Sequence, residues 1–222
     1  MNRAFRVLLC ILAALGVIGF SDVSLFETAH FTVFWSGEMD KDGMERLTTL
    51  MEDAYREYLP LFQEDPAARR PIDVVVFAST GDFCHHTGLP WWSASAMIDG
   101  AVYLQPLSVL AKRNILNRVA AHETALVFIH ERYGGSAPPW YAEGLAMYLA
   151  GEGETATDGL SGERPEISDV SDINELLAER DDRERNAWGY VLAYEEVADL
   201  IDEYGLPTVA GEGERFFNSG LD

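Results

Sequence analysis

The apolar pattern of this chain changes its period at Pro106, and that change limits the folds open to it. Before Pro106, three short segments rich in β-branched and aromatic residues predict strands over 30–35, 72–78 and 100–105. A helix over 40–59 separates the first two, because its apolar residues recur three and four positions apart. After Pro106 the spacing is helical. Strands first and helices afterwards indicate an α+β fold.

The second half of the chain is expected to contain four helices. A stripe of apolar residues predicts the first over 115–133, and Gly134 ends it. Pro139 opens the second, which continues to residue 150. A short helix over 172–179 and a long one over 187–204 follow, after an exposed acidic loop over 151–169.

The composition indicates what class of protein this is and which partners it can bind. The chain has 222 residues, of which 48% are hydrophobic and 11% aromatic, which suits one globular domain. Its formal net charge is −21 and its pI is about 4.4. Nucleic acid is therefore excluded as a partner, because phosphate binding requires clustered Lys and Arg.

The N-terminal residues resemble an export signal. Arg3 and Arg6 precede an apolar run that is shorter than the roughly 20 residues of a membrane-spanning helix. We therefore expect residues 1–21 to be a signal peptide or an N-terminal anchor and 22–222 to form the domain. The protein is then exported: periplasmic, secreted or anchored, with membrane contact only through this segment. Cys84 is the single thiol outside it and is expected to be structural.

The 115–133 helix contains an incomplete metal-binding motif. Two histidines four residues apart on a helix share one face and can share one zinc ion, and a glutamate after the first histidine activates the bound water. A third ligand comes from a later helix. Here His122 is followed by Glu123, and Glu143 is available as the later ligand, but Leu126 stands where the second histidine is needed.

Other histidines could complete the site. His130 lies eight positions after His122, about 12 Å along the helix, which is too far for one ion. His85 and His86 fall in a segment predicted to be a loop that could fold over the site, and His30, at the start of a strand, is a weaker candidate. The alternative is a purely structural role, because a single histidine in an apolar stripe is commonly a hydrogen-bonded core residue.

Several local sequences resemble those of the small peptidase-MA-like domains, which are gluzincin-type zinc metallopeptidases. The resemblance covers most of the chain after the export segment. Its most specific part is the sequence Pro139-Trp140-Tyr141-Ala142-Glu143-Gly144-Leu145-Ala146. The remaining parts are His30-Phe31-Thr32-Val33, Val74-Val75-Val76-Phe77, Gly81-Asp82-Phe83, Gly88-Leu89-Pro90-Trp91, Ala120-Ala121-His122-Glu123 and the segment 190–205.

The resemblance implies a zincin-like fold, in which a small N-terminal sheet with one early helix precedes the metal-site helix and a helical C-terminal half. It implies zinc as the cofactor, with His122 and Glu143 as ligands and Glu123 as general base. A tyrosine of the last helix, Tyr190 or Tyr194, could stabilise an oxyanion. Leu126 departs from the family pattern at a ligand position.

Three hypotheses for function follow. The first is an exported metallopeptidase-like domain with a degenerate zinc site, without efficient hydrolysis, whose cleft binds a peptide or protein. The second is an active zinc peptidase with a non-standard ligand set that recruits His85, His86 or a carboxylate. The third is a structural envelope protein, and it predicts that His122 and Glu143 point apart.

Overall fold

A mixed five-stranded sheet forms the first half of the fold. The structure, a computed structural model, describes residues 23–36, 40–62 and 71–217. Within them the strands are β1 (Val23–Glu27), β2 (Phe31–Ser36), β3 (Ile72–Val76), β4 (Ser95–Ile98) and β5 (Ala101–Leu104). The order is β1-β2-β3-β5-β4, with β2, β3 and β5 parallel and the edge strands β1 and β4 antiparallel to their neighbours. The central place of β3 agrees with its apolar side chains on both faces.

Helices account for most of the remaining described residues, so the α+β prediction is confirmed. They are α1 (Lys41–Tyr58), α2 (Thr80–Thr87), α3 (Leu107–Lys112), α4 (Leu116–Tyr133), α5 (Pro139–Leu149), α6 (Val170–Leu177), α7 (Arg183–Tyr204) and α8 (Leu206–Gly211). The last long helix begins earlier than its apolar stripe predicts. Asp182 explains this, because its side chain accepts hydrogen bonds from the backbone N–H groups of Glu184 and Arg185 and caps the first turn.

The two faces of the sheet pack against different helices. On one face Val33, Val74 and Val102 join the large core that α1, α4 and α5 complete. On the other face Val75 and Tyr103 join a smaller cluster with Phe83 of α2. Successive residues of a strand point to opposite faces, so the alternation of these valines separates the two cores. The cleft described below lies on the α4 side.

Helices α5 and α7 approach each other closely at Gly144. A Cβ atom at this position would overlap the backbone carbonyl oxygen of Ala193, so only glycine allows the two backbones to pack here. Gly144 directly follows Glu143. The close approach therefore holds the glutamate at a fixed place between α4 and α7.

The predicted signal or anchor over residues 1–21 lies outside the described residues. Among the described helices, none is long and apolar enough to cross a membrane.

Candidate functional site

A cleft of about 630 Å³ opens between the edge strand β4 and the helices α4 and α7. All four residues of β4 line one side of it. His122, Glu123 and Leu126 of α4 form its floor together with Glu143 of α5. The incomplete metal motif therefore borders a cavity.

His122 lies between two carboxylates. Its Nε2 atom is 3.1 Å from Oε2 of Glu143, and its Nδ1 atom is 2.9 Å from Oε1 of Glu152. Burial by itself would lower the pKa of His122, but the hydrogen bonds to Glu143 and Glu152 outweigh it and hold the pKa well above its ordinary value. The imidazole is then a cation at neutral pH that donates one N–H to each carboxylate.

Glu152 is the site residue that sequence reasoning missed. It lies in the segment after α5, where the backbone N–H of Glu152 donates to the carbonyl oxygen of Met147. Burial would raise the pKa of Glu152, but the hydrogen bond and charge of His122, with the charge of Arg118, lower it overall. The one available sequence signal was an acidic residue set between Gly151 and Gly153, directly after the helix that carries Glu143.

Glu123 is buried beside His122 with an incomplete set of hydrogen bonds. Only 3% of the residue is exposed, and its Oε1 atom accepts a hydrogen bond of 2.6 Å from the Ser95 hydroxyl of β4. Its Oε2 atom has no hydrogen-bond partner among the described residues. Burial raises the pKa of Glu123 to about 7, and the carboxylates of Glu143 and Glu152 add to the rise.

Leu126 lies one helical turn after His122, is 7% exposed and lines the cleft as an apolar side chain. The other histidines are elsewhere. The predicted loop position of His85 and His86 is wrong: both belong to α2, and the His86 ring packs on Phe77 and Tyr103 in the core on the opposite face of the sheet.

The remaining histidines do not line the cleft either. His30 pairs with Glu52 through a contact of 2.7 Å between Nδ1 and Oε2. His130 belongs to the last turn of α4. Neither of them, nor His85 or His86, is among the residues that line the cleft.

The residues present do not fit a three-ligand zinc site. A structural or catalytic zinc ion requires at least three protein ligands around one point. Here the two ring nitrogens of His122 point in opposite directions, each toward a different carboxylate, and Leu126 offers no donor. Across residues 23–36, 40–62 and 71–217, no three His, Cys, Asp or Glu side chains converge in a way that could hold a metal ion.

The two candidate tyrosines have different surroundings. Tyr190 lines the cleft, and the negative charge of Glu143, followed by burial, raises its pKa well above the ordinary value. Its hydroxyl therefore remains a hydrogen-bond donor at neutral pH. The Tyr194 ring instead packs against Gly153 and stacks on Tyr148 at a centroid distance of 6.1 Å.

Fold and site together define an α+β protein whose cleft has an edge strand as one wall and a histidine held between two carboxylates on its floor. Neither a scan of protein-family models nor a search of curated proteins yields a match to this chain.

Proposed function

We propose that this protein is an exported metallopeptidase-like domain of zincin-like fold that binds a peptide or protein segment in its cleft without efficient hydrolysis. The observation that carries the proposal is the composition of the cleft floor. His122 and Glu143 lie within hydrogen-bonding distance, and Glu123 is retained beside them, while Leu126 occupies the position of the missing ligand. The contact between His122 and Glu143 also argues against a purely structural role, which predicts that they point apart.

Strand β4 supports a peptide as the ligand. It pairs with β5 on one side and is the last strand of the sheet at that edge. An edge strand presents unpaired N–H and C=O groups, to which an extended segment can add by backbone hydrogen bonding. Because Ser95, Ala96, Met97 and Ile98 all line the cleft, a segment added to β4 lies over His122 and Glu123.

Zinc binding tests the loss of the metal site. We expect the wild-type protein, dialysed against zinc and analysed by mass spectrometry, to retain far less than one equivalent per chain. Leu126→His should retain about one equivalent, because it restores two histidines one turn apart beside Glu143. Leu126→Met, which keeps an apolar side chain of similar size, is the matched control. One tightly held equivalent in the wild type would overturn the proposed loss of the site, and no gain in Leu126→His would count against the zincin-like assignment.

An active peptidase is the second candidate, and Glu123 favours it. This glutamate occupies the general-base position of the motif, and its Oε2 atom lacks a partner among the described residues. A peptidase assay on a mixed peptide library, with and without a chelator, separates the two candidates. Turnover that chelation and Glu123→Gln both abolish would establish the active enzyme and overturn the non-hydrolysing proposal. No turnover above the Glu123→Gln background is the result we expect.

A further inference from the structure

Three arginines surround the mouth of the cleft. Arg118 lies on α4 one turn before His122, Arg180 lies in the connection between α6 and α7, and Arg183 is the first residue of α7. The whole chain has only 16 Lys and Arg against 37 Asp and Glu. Separate segments therefore bring three of the few cations of this acidic chain to one opening.

The side-chain hydrogen bonds of Arg118 and Arg180 go to neutral acceptors. Arg118 donates to the Thr155 hydroxyl at 2.9 Å, and Arg180 donates to the carbonyl oxygen of Gly88 at 3.1 Å. Both acceptors are neutral. Within the described part of the chain, none of the three cleft arginines forms a salt bridge, whereas arginines elsewhere do, as in the pairs Arg164–Glu195 and Arg215–Glu212.

The acidic groups inside the cleft are held by other partners. Glu143 and Glu152 share the His122 imidazole, although Glu152 also feels the charge of Arg118. Glu179 accepts hydrogen bonds from the backbone N–H groups of Arg180 and Asp181. The charges of Arg180 and Arg183 therefore remain available to a ligand, and that of Arg118 is shared with Glu152.

Glu123 on the cleft floor is a second, independent indication that the cleft binds a polar ligand. The Oε2 atom of Glu123 is buried, borders the cleft and has no hydrogen-bond partner among the described residues. A buried polar atom without a partner costs free energy, so a group that supplies the missing hydrogen bond is favoured there. A backbone amide of an extended segment added to β4 is such a group.

We propose that the segment bound in this cleft is acidic: an extended peptide whose Asp or Glu side chains pair with Arg118, Arg180 and Arg183. The inference rests on the proposed peptide-binding function and adds the chemistry of the ligand. Guanidinium and carboxylate groups form paired, charge-assisted hydrogen bonds. Distant carboxylates of this acidic protein oppose the ligand only weakly, because physiological salt screens charges beyond about 8 Å.

Alternating peptides provide the test. Every second side chain of an extended segment points to the same side, so the probes are octapeptides that alternate Thr with Glu, Gln or Lys. All are acetylated, amidated and labelled with an uncharged dye, and binding is followed by fluorescence polarisation. We expect the Thr-Glu peptide to bind about tenfold or more tightly than the Thr-Gln peptide, and the Thr-Lys peptide to bind most weakly.

Matched variants locate the effect. Arg180→Gln with Arg183→Gln should weaken Thr-Glu binding about tenfold and Thr-Gln binding much less, because the arginines bind a carboxylate more strongly than a neutral amide. The control, Arg164→Gln with Arg215→Gln, removes the same charge from two ion pairs outside the cleft and should have little effect. An equal loss in both double variants would show that only net charge matters and would overturn the proposal.

The remaining outcomes separate this inference from the function on which it rests. Equal binding of Thr-Glu and Thr-Gln peptides overturns the acidic ligand but keeps peptide binding. A Thr-Gln peptide with a free terminal carboxylate that binds as tightly as Thr-Glu would overturn recognition of acidic side chains in favour of the chain terminus. Failure of all the probes to bind at millimolar concentration overturns peptide binding itself.

Discussion

Among the described residues, His30 and His122 both contact glutamates, and their surroundings differ in a way that separates a structural pair from a candidate site. His30 contacts one carboxylate, Glu52, and its ring stacks on Tyr55 at a centroid distance of 3.8 Å. Glu52 also accepts hydrogen bonds from the Thr28 hydroxyl and from the backbone N–H of His30. Oε1 of this carboxylate therefore keeps two neutral donors whatever the charge of the histidine, and only Oε2 faces the ring.

His122 has the opposite arrangement, because one imidazole serves two carboxylates. Side-chain exposure is 12% for His122, 25% for Glu143 and 22% for Glu152, so all three groups have lost most of their hydration. Within the described residues, His122 is the hydrogen-bond donor to both carboxylates. The two carboxylates of the cleft floor therefore depend on a single protonated ring, whereas Glu52 has two further donors besides the His30 ring.

The largest expected difference is in the stability lost when each histidine is removed. We expect His122→Ala to lower the free energy of unfolding by about 3 kcal/mol, because it leaves two mostly buried carboxylates without their shared cation. His30→Ala should cost about 1 kcal/mol, since Glu52 keeps the Thr28 hydroxyl and a backbone N–H. Urea denaturation at pH 7 measures both changes. Equal losses would contradict the difference drawn here.

Double-mutant cycles should give the next largest effect. The cycles combine His122→Ala with Glu152→Gln, and His30→Ala with Glu52→Gln. Residues in contact couple by roughly 0.5–3 kcal/mol. We expect about 1.5 kcal/mol for the cleft pair and about 0.5 kcal/mol for the other, because Glu52 keeps two further donors. A larger coupling at His30 would reverse the ranking.

The sequence predicts the parts of this site that lie on long helices. The apolar stripes of α4 and α5 locate His122, Glu123 and Glu143 because helical periodicity is reliable over many residues. Strand β4 was missed because it is only four residues long and contains Ser95 and Ala96, which are weak strand formers.

Helix α2 was missed for a related reason, because it is short and its start depends on a local cap. The Ser79 side chain accepts a hydrogen bond from the backbone N–H of Asp82 and sets the first turn.

Glu152 is brought to His122 by the segment after α5, where Tyr194 packs against Gly153. A contact that depends on the tertiary packing of a loop leaves no periodic pattern in the sequence from which it could be predicted.

The contribution of His122 to the free energy of unfolding should fall as pH rises, whereas that of Glu52 should fall as pH decreases. The pKa of His122 is raised in the folded protein, so its stabilising contribution is complete below the ordinary value of 6.5 and is lost as pH rises through the folded pKa. The difference in unfolding free energy between wild type and His122→Ala should therefore shrink as pH rises from 6 toward 10. Comparing the two in the Glu123→Gln background removes the titration of Glu123, whose pKa of about 7 falls in this range.

The smallest expected effect is the change at acid pH in the stability that Glu52 contributes. Burial would raise the pKa of this carboxyl, but hydrogen bonds from Thr28 and His30 lower it overall from 4.5. A lowered carboxyl pKa contributes stability that is complete above the unfolded pKa and is lost as pH falls through the folded pKa. The free-energy difference between wild type and Glu52→Gln should therefore be constant near pH 6 and decline below about pH 4.5.

The same measurement on Glu45→Gln, a control for the exposed Lys41–Glu45 pair of α1, should show almost no difference at any pH. A flat profile for Glu52→Gln would mean that the neutral donors hold the protonated carboxyl as well as the charged one, and that His30 contributes packing on Tyr55 more than charge.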